Sequence, residues 1–145
     1  MAVETKKAEA QRFQVRVPLL SEGRVHNIVA RAGAMTVAMK CYAEGGENAL
    51  HTHLDEPHVF VILQGQARFW DENGETGVFG RNEGILVPAG WFYRFESCGD
   101  EPLVMLRVGH GDGNLRVAPD GHPLPSDSAE NLHVAGVPIP GKFYE

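Results

Sequence analysis

Three of the seven histidines of this chain lie within eight residues, in the segment HTHLDEPH at residues 51–58. Side chains two residues apart leave an extended strand on the same face, so we expect His51 and His53 to point toward one ion. His58 follows after Leu54–Pro57, whose Asp and Pro favour a turn that returns a third imidazole to the same point. Neutral imidazole suits divalent Fe, Zn, Ni, Cu or Mn, whereas Mg and Ca prefer oxygen ligands. The spacing therefore predicts a transition-metal site.

The segments around these histidines read as short β-rich runs separated by Gly, Pro and Asn, which predicts an all-β sandwich or barrel. In the run Met35–Tyr42 the odd-numbered residues are apolar and the even-numbered ones more polar, so we expect the odd-numbered face to point inward. Asn73 and Gly74 predict a tight hairpin. The predicted strands are Phe13–Val17, Val25–Ala32, Met35–Tyr42, Leu50–His53, His58–Gln64, Ala67–Asp71, Glu75–Phe79, Gly84–Val87, Tyr93–Glu96 and Leu103–Gly109.

A length of 145 residues predicts a single domain. Residues 1–11 are expected to form a flexible N-terminus and residues 12–109 the β-barrel. Residues 110–145 are rich in Pro and Gly but keep apolar residues, so we expect an extended C-terminal arm packed on the barrel or on a partner subunit. The arm and the all-apolar run Val59–Leu63 together predict a homodimer.

Charge and composition limit the possible partners. A formal net charge of -6 argues against nucleic acid and anionic membranes, because both are bound chiefly through Lys and Arg. The N-terminal segment has no apolar core of the kind that a secretion signal needs, and no later run reaches membrane-spanning length. We therefore expect a cytoplasmic protein that acts on a small molecule. Cys41 and Cys98 form no CxxC motif and are expected to be unreactive.

The histidine cluster lies in a segment that resembles the first motif of the cupin family, which reads Gly, five residues, His-x-His, three or four residues, Glu, six residues, Gly. The matching residues here are Gly45, His51, His53, His58 in the Glu position, and Gly65. The second motif, Gly, five residues, Pro-x-Gly, two residues, His, is matched by Asn82, Pro88–Gly90 and Tyr93. The resemblance covers about Met35 to Val108. It implies a small all-β jelly-roll barrel with a metal at its inner end.

The resemblance implies which side chains hold that metal. His51 and His53 match two family ligands directly, whereas His58 and Tyr93 stand where the family has Glu and a second His. Without the carboxylate the ligand set is neutral, which strengthens the metal as a Lewis acid. Tyr93 is a candidate metal ligand, a hydrogen-bond donor beside the site, or a general acid. Glu56 is a second candidate catalytic residue and a stand-in carboxylate, although an extended segment would turn it to the opposite face.

The residues expected around the metal are aromatic, which favours a small, flat or greasy substrate. The expected pocket residues are Phe60, Phe69, Trp91 and Phe95. Arg94 and Arg107 would anchor a carboxylate or enolate if they pointed inward, but we expect both to be exposed to solvent. The remaining histidines are expected on the surface or in loops; they are His26, His110, His122 and His133.

Together these features predict a metal-dependent enzyme that acts on a small aromatic or diketone/enol compound. An Fe(II) dioxygenase is favoured, because three neutral histidines leave positions open for an enolate and O₂. A first alternative is a Zn, Mn or Ni lyase, isomerase or cyclase, in which Tyr93 or Glu56 moves a proton. A second alternative is a cupin that binds a small molecule without catalysis.

Overall fold

The computed structural model of the chain describes residues 1–125 and 130–145. Eleven β-strands lie in this part, and the all-β prediction is confirmed. None of the described residues forms a helix that is long and apolar enough to cross a membrane. The strands are β1 (Val17–Ala32), β2 (Met35–Tyr42), β3 (Thr52–Asp55), β4 (His58–Gln64), β5 (Ala67–Asp71), β6 (Gly74–Phe79), β7 (Gly84–Val87), β8 (Arg94–Ser97), β9 (Leu103–His110), β10 (Asp112–Val117) and β11 (Leu132–Tyr144).

The strands form antiparallel sheets that pack as a jelly-roll sandwich. The largest sheet has six strands in the order β11-β1-β2-β9-β4-β7, a second has the order β6-β5-β8, and β10 pairs with β3. The predicted jelly roll is therefore present. Within the described residues the sheets stay open and do not join into a closed barrel.

Apolar side chains bury both faces of the six-stranded sheet. The first core lies between this sheet and the three-stranded sheet, and its largest members are Tyr42, Phe60, Phe69, Tyr93 and Phe95. The second core covers the opposite face and contains Val17, Leu20, Val25, Met39, Cys41, Ala43 and Val104. The odd-numbered face of β2 therefore points inward, as predicted. Its more polar even-numbered face is also internal, because it faces the first core and the cavity described below.

The first strand differs most from the prediction. β1 runs without a break from Val17 to Ala32, although two separate strands, Phe13–Val17 and Val25–Ala32, were predicted, and residues 13–16 lie outside it. The reason is β11, which pairs along β1 with register shifts on both sides of Leu20 that absorb the irregular sequence.

The sequence did not predict β10 or β11. Both lie in residues 110–145, and Tyr144 packs against the second core. The flexible N-terminus and the homodimer stay predictions.

Gly23 lies where the backbones of β1 and β11 are in close contact. Its φ is +84°, and a Cβ there would lie 2.2 Å from the carbonyl oxygen of Ala135. We expect Gly23→Ala to lower the free energy of unfolding by more than about 2 kcal/mol, because left-handed backbone costs an L-residue about 1–2 kcal/mol and the clash adds to it. Urea denaturation measures the loss.

Gly33 is a matched control for this substitution. It also has a positive φ, +57°, but a Cβ there would meet no atom within 4 Å. Gly33→Ala should therefore cost only the backbone part, about 1 kcal/mol. Equal losses at the two positions would show that the contact between β1 and β11 does not restrict Gly23.

Candidate functional site

The three clustered histidines are buried and lie side by side. His51 is held opposite Tyr93 by two backbone hydrogen bonds of 3.0 and 2.9 Å, His53 lies in β3, and His58 begins β4. Their exposed fractions are 5%, 7% and 2%. The ring centroids of His51 and His53 are 5.1 Å apart, and those of His53 and His58 are 4.9 Å apart. The structure thus brings together the rings that the spacing predicted to converge.

Backbone carbonyls fix the same tautomer in all three rings. The Nδ1 atom of His51 lies 2.7 Å from the oxygen of Ala49, that of His53 lies 2.7 Å from the oxygen of Gly113, and that of His58 lies 3.1 Å from the oxygen of Glu56. Because a carbonyl only accepts hydrogen bonds, each Nδ1 carries the proton and each Nε2 keeps its lone pair. A histidine that binds a metal is usually oriented in this way, through a hydrogen bond from its other ring nitrogen.

The three imidazoles are neutral near physiological pH. Burial lowers the pKa of His51 below its usual range, and the charge of Arg116 adds to the effect. Burial followed by the charge of Arg107 lowers the pKa of His53 to about 3 and that of His58 to about 2. Because only the neutral form has a free lone pair, all three rings are in the protonation state that metal binding requires.

Tyr93 lies against the histidines with its hydroxyl in a hydrogen bond. The hydroxyl donates to Nε2 of His58 over 2.8 Å, and the side chain is 2% exposed. Burial raises the pKa of the Tyr93 phenol well above its ordinary value. The phenol therefore keeps its proton near neutral pH and acts as a hydrogen-bond donor. Tyr93 stands beside the predicted site, as its place in the second motif implied.

Glu56 and Arg107 form a buried ion pair beside His58. Nη2 of Arg107 donates to Oε1 of Glu56, and the same oxygen lies 3.7 Å from Nδ1 of His58. The expectation that Arg107 is exposed was wrong, since it is 9% exposed. Burial alone would lower the pKa of its guanidinium, but the hydrogen bond to Glu56 raises it. Glu56 turns inward because a loop, rather than a strand, separates β3 from β4.

Two glycines make room for the carboxylate of Glu56. A Cβ at Gly109 would lie 2.7 Å from this carboxylate, and one at Gly113 would lie 2.9 Å from it. Gly109 lies in β9, and Gly113 lies in β10, a few residues before Arg116. The sequence alone did not link these two glycines to Glu56, because β9 and β10 come to lie beside Glu56 only in the folded structure.

A cavity of about 1110 Å³ opens beside the histidines. His51, His53, Glu56 and Tyr93 line it, together with Phe60 and Phe95 of the expected pocket. The other two expected pocket residues are not among its lining residues. Phe69 is fully buried in the first core, and Trp91 is half-buried and stacks on Tyr93 with ring centroids 5.8 Å apart.

The cavity is more polar than the aromatic pocket that the sequence predicted. Arg24, Lys40 and Arg116 line it beside Arg107, and so does His26, which was expected on the surface or in a loop. Arg24 and Lys40 were missed because they alternate with the apolar residues of β1 and β2, a pattern that usually indicates a solvent-facing side.

Four other basic residues named in the sequence analysis do not line the cavity. Arg94, which was expected to be exposed, is half-buried over the ring of Trp70, 3.7 Å from its centroid. Of the histidines expected on the surface or in loops, His110 and His122 are exposed and His133 is half-buried.

The backbone explains the glycine positions of the two motifs. Gly45 and Gly65 have φ values of +78° and +76°, and Asn82, which stands where the second motif has Gly, has a φ of +69°. Asn is one of the few residues with a side chain that adopt this conformation readily. The change from Gly to Asn at residue 82 therefore keeps the local turn.

The donor set fits a divalent transition metal in type, because three neutral imidazoles lie side by side and each is anchored through Nδ1, although only His51 and His53 line the cavity. The arrangement does not form a metal-binding group: none is found among His, Cys, Asp and Glu in residues 1–125 and 130–145. One of the three nitrogens is engaged elsewhere, since Nε2 of His58 accepts the hydrogen bond of Tyr93. Metal binding by all three rings requires that this hydrogen bond be released.

Two packed β-sheets with a histidine-lined cavity at one end define a jelly-roll protein of the double-stranded β-helix class. Residues 38–109 match the family described as the cupin domain. The chain belongs to the cupin family, as the two motifs predicted. No curated protein sequence matches the chain.

Solved structures support the same fold. A conserved protein with a double-stranded β-helix domain from Klebsiella pneumoniae is 18% identical, with a TM-score of 0.66 over 80% of this chain and 97% of that one. KdgF from Halomonas sp. is 15% identical, with a TM-score of 0.54 over 61% of this chain and 81% of that one. The DMSP lyase DddQ from Ruegeria pomeroyi is 21% identical, with a TM-score of 0.52 over 63% of this chain and 46% of that one. At these identities the likeness concerns the fold.

Proposed function

We propose that the chain is a metal-dependent cupin enzyme that acts on a small aromatic or diketone/enol compound, with His51, His53 and His58 as metal ligands. The main support is that three buried imidazoles are each anchored as the Nδ1–H tautomer, and that two of them, His51 and His53, line a cavity large enough for such a compound. Fe(II) is the favoured ion and dioxygenation the favoured reaction. A bound Fe(II) ion would supply Lewis acidity and a redox couple for O₂ chemistry.

The remaining residues of the site bind the substrate and control a proton. Phe60 and Phe95 form an apolar wall that suits a flat substrate. Tyr93 holds a proton on its hydroxyl oxygen, at the edge of the cavity, where it can protonate a developing oxyanion or carbanion. Phe69 and Trp91 both stack on Tyr93, with ring centroids 6.3 and 5.8 Å away. Glu56, paired with Arg107, lies in the loop that precedes His58.

Two alternatives each have an observation in their favour. A non-redox Zn, Mn or Ni lyase, isomerase or cyclase is favoured by the run of Glu56, His58 and Tyr93, which links a carboxylate, an imidazole and a phenol. Binding without catalysis is favoured by the missing metal-binding arrangement among the described residues. Similarity to the DMSP lyase DddQ is compatible with the first alternative, and that protein is an enzyme with the same fold.

Metal content and oxygen dependence separate these functions. The protein is purified without air, analysed for bound metal, and reloaded in parallel with Fe(II), Zn(II), Mn(II) and Ni(II). Each form is mixed with a panel of 1,3-diketones and dihydroxybenzenes, and product formation and O₂ uptake are recorded. We expect turnover only by the Fe(II) form, with one O₂ consumed per product. Equal rates with and without O₂ would contradict dioxygenation and support the non-redox enzyme, and no turnover by any form would support binding alone.

A further inference from the structure

The loop between β3 and β4 connects two of the proposed metal ligands, His53 and His58. Nδ1 of His58 donates to the carbonyl oxygen of Glu56, which belongs to this loop and lies 3.1 Å away. Nδ1 of His53 donates to the carbonyl oxygen of Gly113 in β10, 2.7 Å away. One ring is therefore anchored by the loop and the other by a different strand. The two rings keep their orientation toward each other only while the loop and β10 stay at a fixed separation.

β10 is irregular at the point where it anchors His53. Its pairing with β3 shifts in register between Asp112 and Arg116, and Gly113 lies within this shift. An irregularity of this kind disrupts the regular ladder of strand hydrogen bonds, and here the carbonyl of Gly113 accepts from a side chain. Strand pairing alone therefore does not fix the anchor of His53.

The carboxylate of Glu56 fills the space between the loop, β9 and β10. A Cβ at Gly113 would lie 2.9 Å from Oε2 of Glu56, and a Cβ at Gly109 would lie 2.7 Å from the same atom. Gly109 lies directly opposite His58 in the pairing of β9 with β4. The carboxylate thus packs against the residue that anchors His53 and against the residue that stands opposite His58.

Arg107 holds this carboxylate in place. Its Nη2 atom donates to Oε1 of Glu56, and both side chains are buried. A Cβ at Gly109 would lie 2.9 Å from Nη1 of Arg107, so the guanidinium also lies over that glycine. A hydrogen bond between two charged groups is stronger than a neutral one. The position of the carboxylate is therefore set by an ion pair and by the backbone of two strands.

We propose that Glu56, fixed by Arg107, is a positioning residue that orients His53 and His58 together. Its carboxylate keeps the loop and β10 at the separation at which both backbone carbonyls accept from Nδ1, so both Nε2 atoms keep their lone pairs. The consequence for metal binding rests on the proposed function, whereas the orientation of the rings in the metal-free protein does not.

The matched variants that test this role are Glu56→Gln and Glu56→Ala. Both leave Arg107 without a carboxylate and share the cost of an unpaired buried cation. Glutamine keeps an oxygen that accepts from Arg107 and fills the same space, whereas alanine empties that space. Long-range proton–nitrogen NMR spectra of the metal-free, isotope-labelled full chain at neutral pH distinguish the tautomers of each ring. We expect Glu56→Gln to keep His53 as the Nδ1–H tautomer and Glu56→Ala to give a mixture, because the bond made by one ring nitrogen decides which nitrogen is protonated.

The other two rings respond differently in the same spectra. His58 is held a second time, since the hydroxyl of Tyr93 donates to its Nε2. We therefore expect it to keep its tautomer in Glu56→Ala, but its Nδ1 proton should exchange with water at least about 10-fold faster. His51 is the internal control. Its anchor is the carbonyl of Ala49, two residues away in the chain, and it should not change.

A substitution at Gly109 tests the same contact without altering any charge or either anchoring carbonyl. The Cβ added by Gly109→Ala displaces the carboxylate of Glu56 and should give His53 the same mixture of tautomers. Gly80→Ala is the control, because a Cβ there would meet no atom closer than 3.5 Å. It should leave the spectra unchanged. Circular dichroism and thermal unfolding of each variant establish that it is folded.

Metal affinity is the second readout. If the protein binds Zn(II), Glu56→Ala should lower the affinity by about 10–100-fold, which is the usual cost of losing a group that orients a ligand, and Glu56→Gln by less than about 10-fold. Competition with a chelating dye measures both changes.

The outcomes separate this inference from the proposed function. If the protein binds no metal, but Glu56→Ala changes His53 and His58 and leaves His51 as it is, the proposed function fails and this inference holds. The inference is overturned, even when a metal is bound, if a folded Glu56→Ala variant keeps His53 as the Nδ1–H tautomer or changes His51 equally. Equal responses to Glu56→Gln and Glu56→Ala would overturn it too, because they would assign the effect to charge. If Glu56→Ala does not fold, Gly109→Ala decides by the same criteria.

Discussion

Alanine at both His51 and His53 is expected to lower the affinity for a divalent transition metal by at least about 100-fold, since loss of a group that merely orients a ligand already costs 10–100-fold. Both rings are buried and presented as Nδ1–H tautomers, so the double variant removes two of the three anchored Nε2 donors. Catalytic activity should fall to background. Metal content by elemental analysis and competition with a chelating dye measure the change.

Two controls show whether the effect is specific. His122→Ala removes an exposed histidine paired with Asp120, away from the cavity, and should leave metal affinity unchanged. Tyr93→Phe removes the hydroxyl that holds Nε2 of His58. It should keep metal binding while lowering kcat, because the phenol is expected to supply a proton and not a required ligand. Unchanged metal affinity in the double alanine variant would refute the three-histidine site, and metal loss in Tyr93→Phe would make Tyr93 a ligand.

Removing the charge of Arg107 is expected to destabilise the fold by about 3–5 kcal/mol, because Arg107→Met leaves the carboxylate of Glu56 buried without a partner. Glu56 is 3% exposed and is enclosed by Gly109 and Gly113. Although Glu56 lines the cavity, little of its surface is exposed, so an unpaired charge there is poorly hydrated. Guanidinium denaturation at neutral pH measures the loss. Metal affinity is expected to fall as well, since the loop that positions His58 contains Glu56.

The pair itself is tested by removing both charges. Glu56→Gln combined with Arg107→Met should be more stable than Arg107→Met alone, because no unpaired buried charge remains. The surface pair of Arg68 and Glu75, with side chains 41% and 49% exposed, is the matched control. Arg68→Gln should cost less than about 1 kcal/mol. If Arg107→Met also lowers the free energy of unfolding by less than about 1 kcal/mol, Glu56 reaches water or takes up a proton in that variant.

Much of the fold and part of the site were predictable from local patterns. The two motifs place glycine or asparagine where the backbone is left-handed, as Gly45, Gly65 and Asn82 show. The two-residue spacing of His51 and His53 is a local property of extended backbone, and it predicted their convergence. Arg107 and Glu56 were not predictable in this way. They are 51 residues apart, and an arginine in an otherwise apolar strand looks the same whether its partner is water or a carboxylate.

The amino-acid sequence by itself determined the all-β class, most strand positions and the histidine spacing, because each depends on residues close together in the chain. Only the tertiary structure decided which face of β2 looks into the cavity. Alternation distinguishes two faces, but it does not say what the polar one meets, and here it meets a cavity rather than solvent. The same packing brings Arg116 of β10 beside His53 of β3, since the pairing of distant strands is set by the burial of both cores and not by local preference.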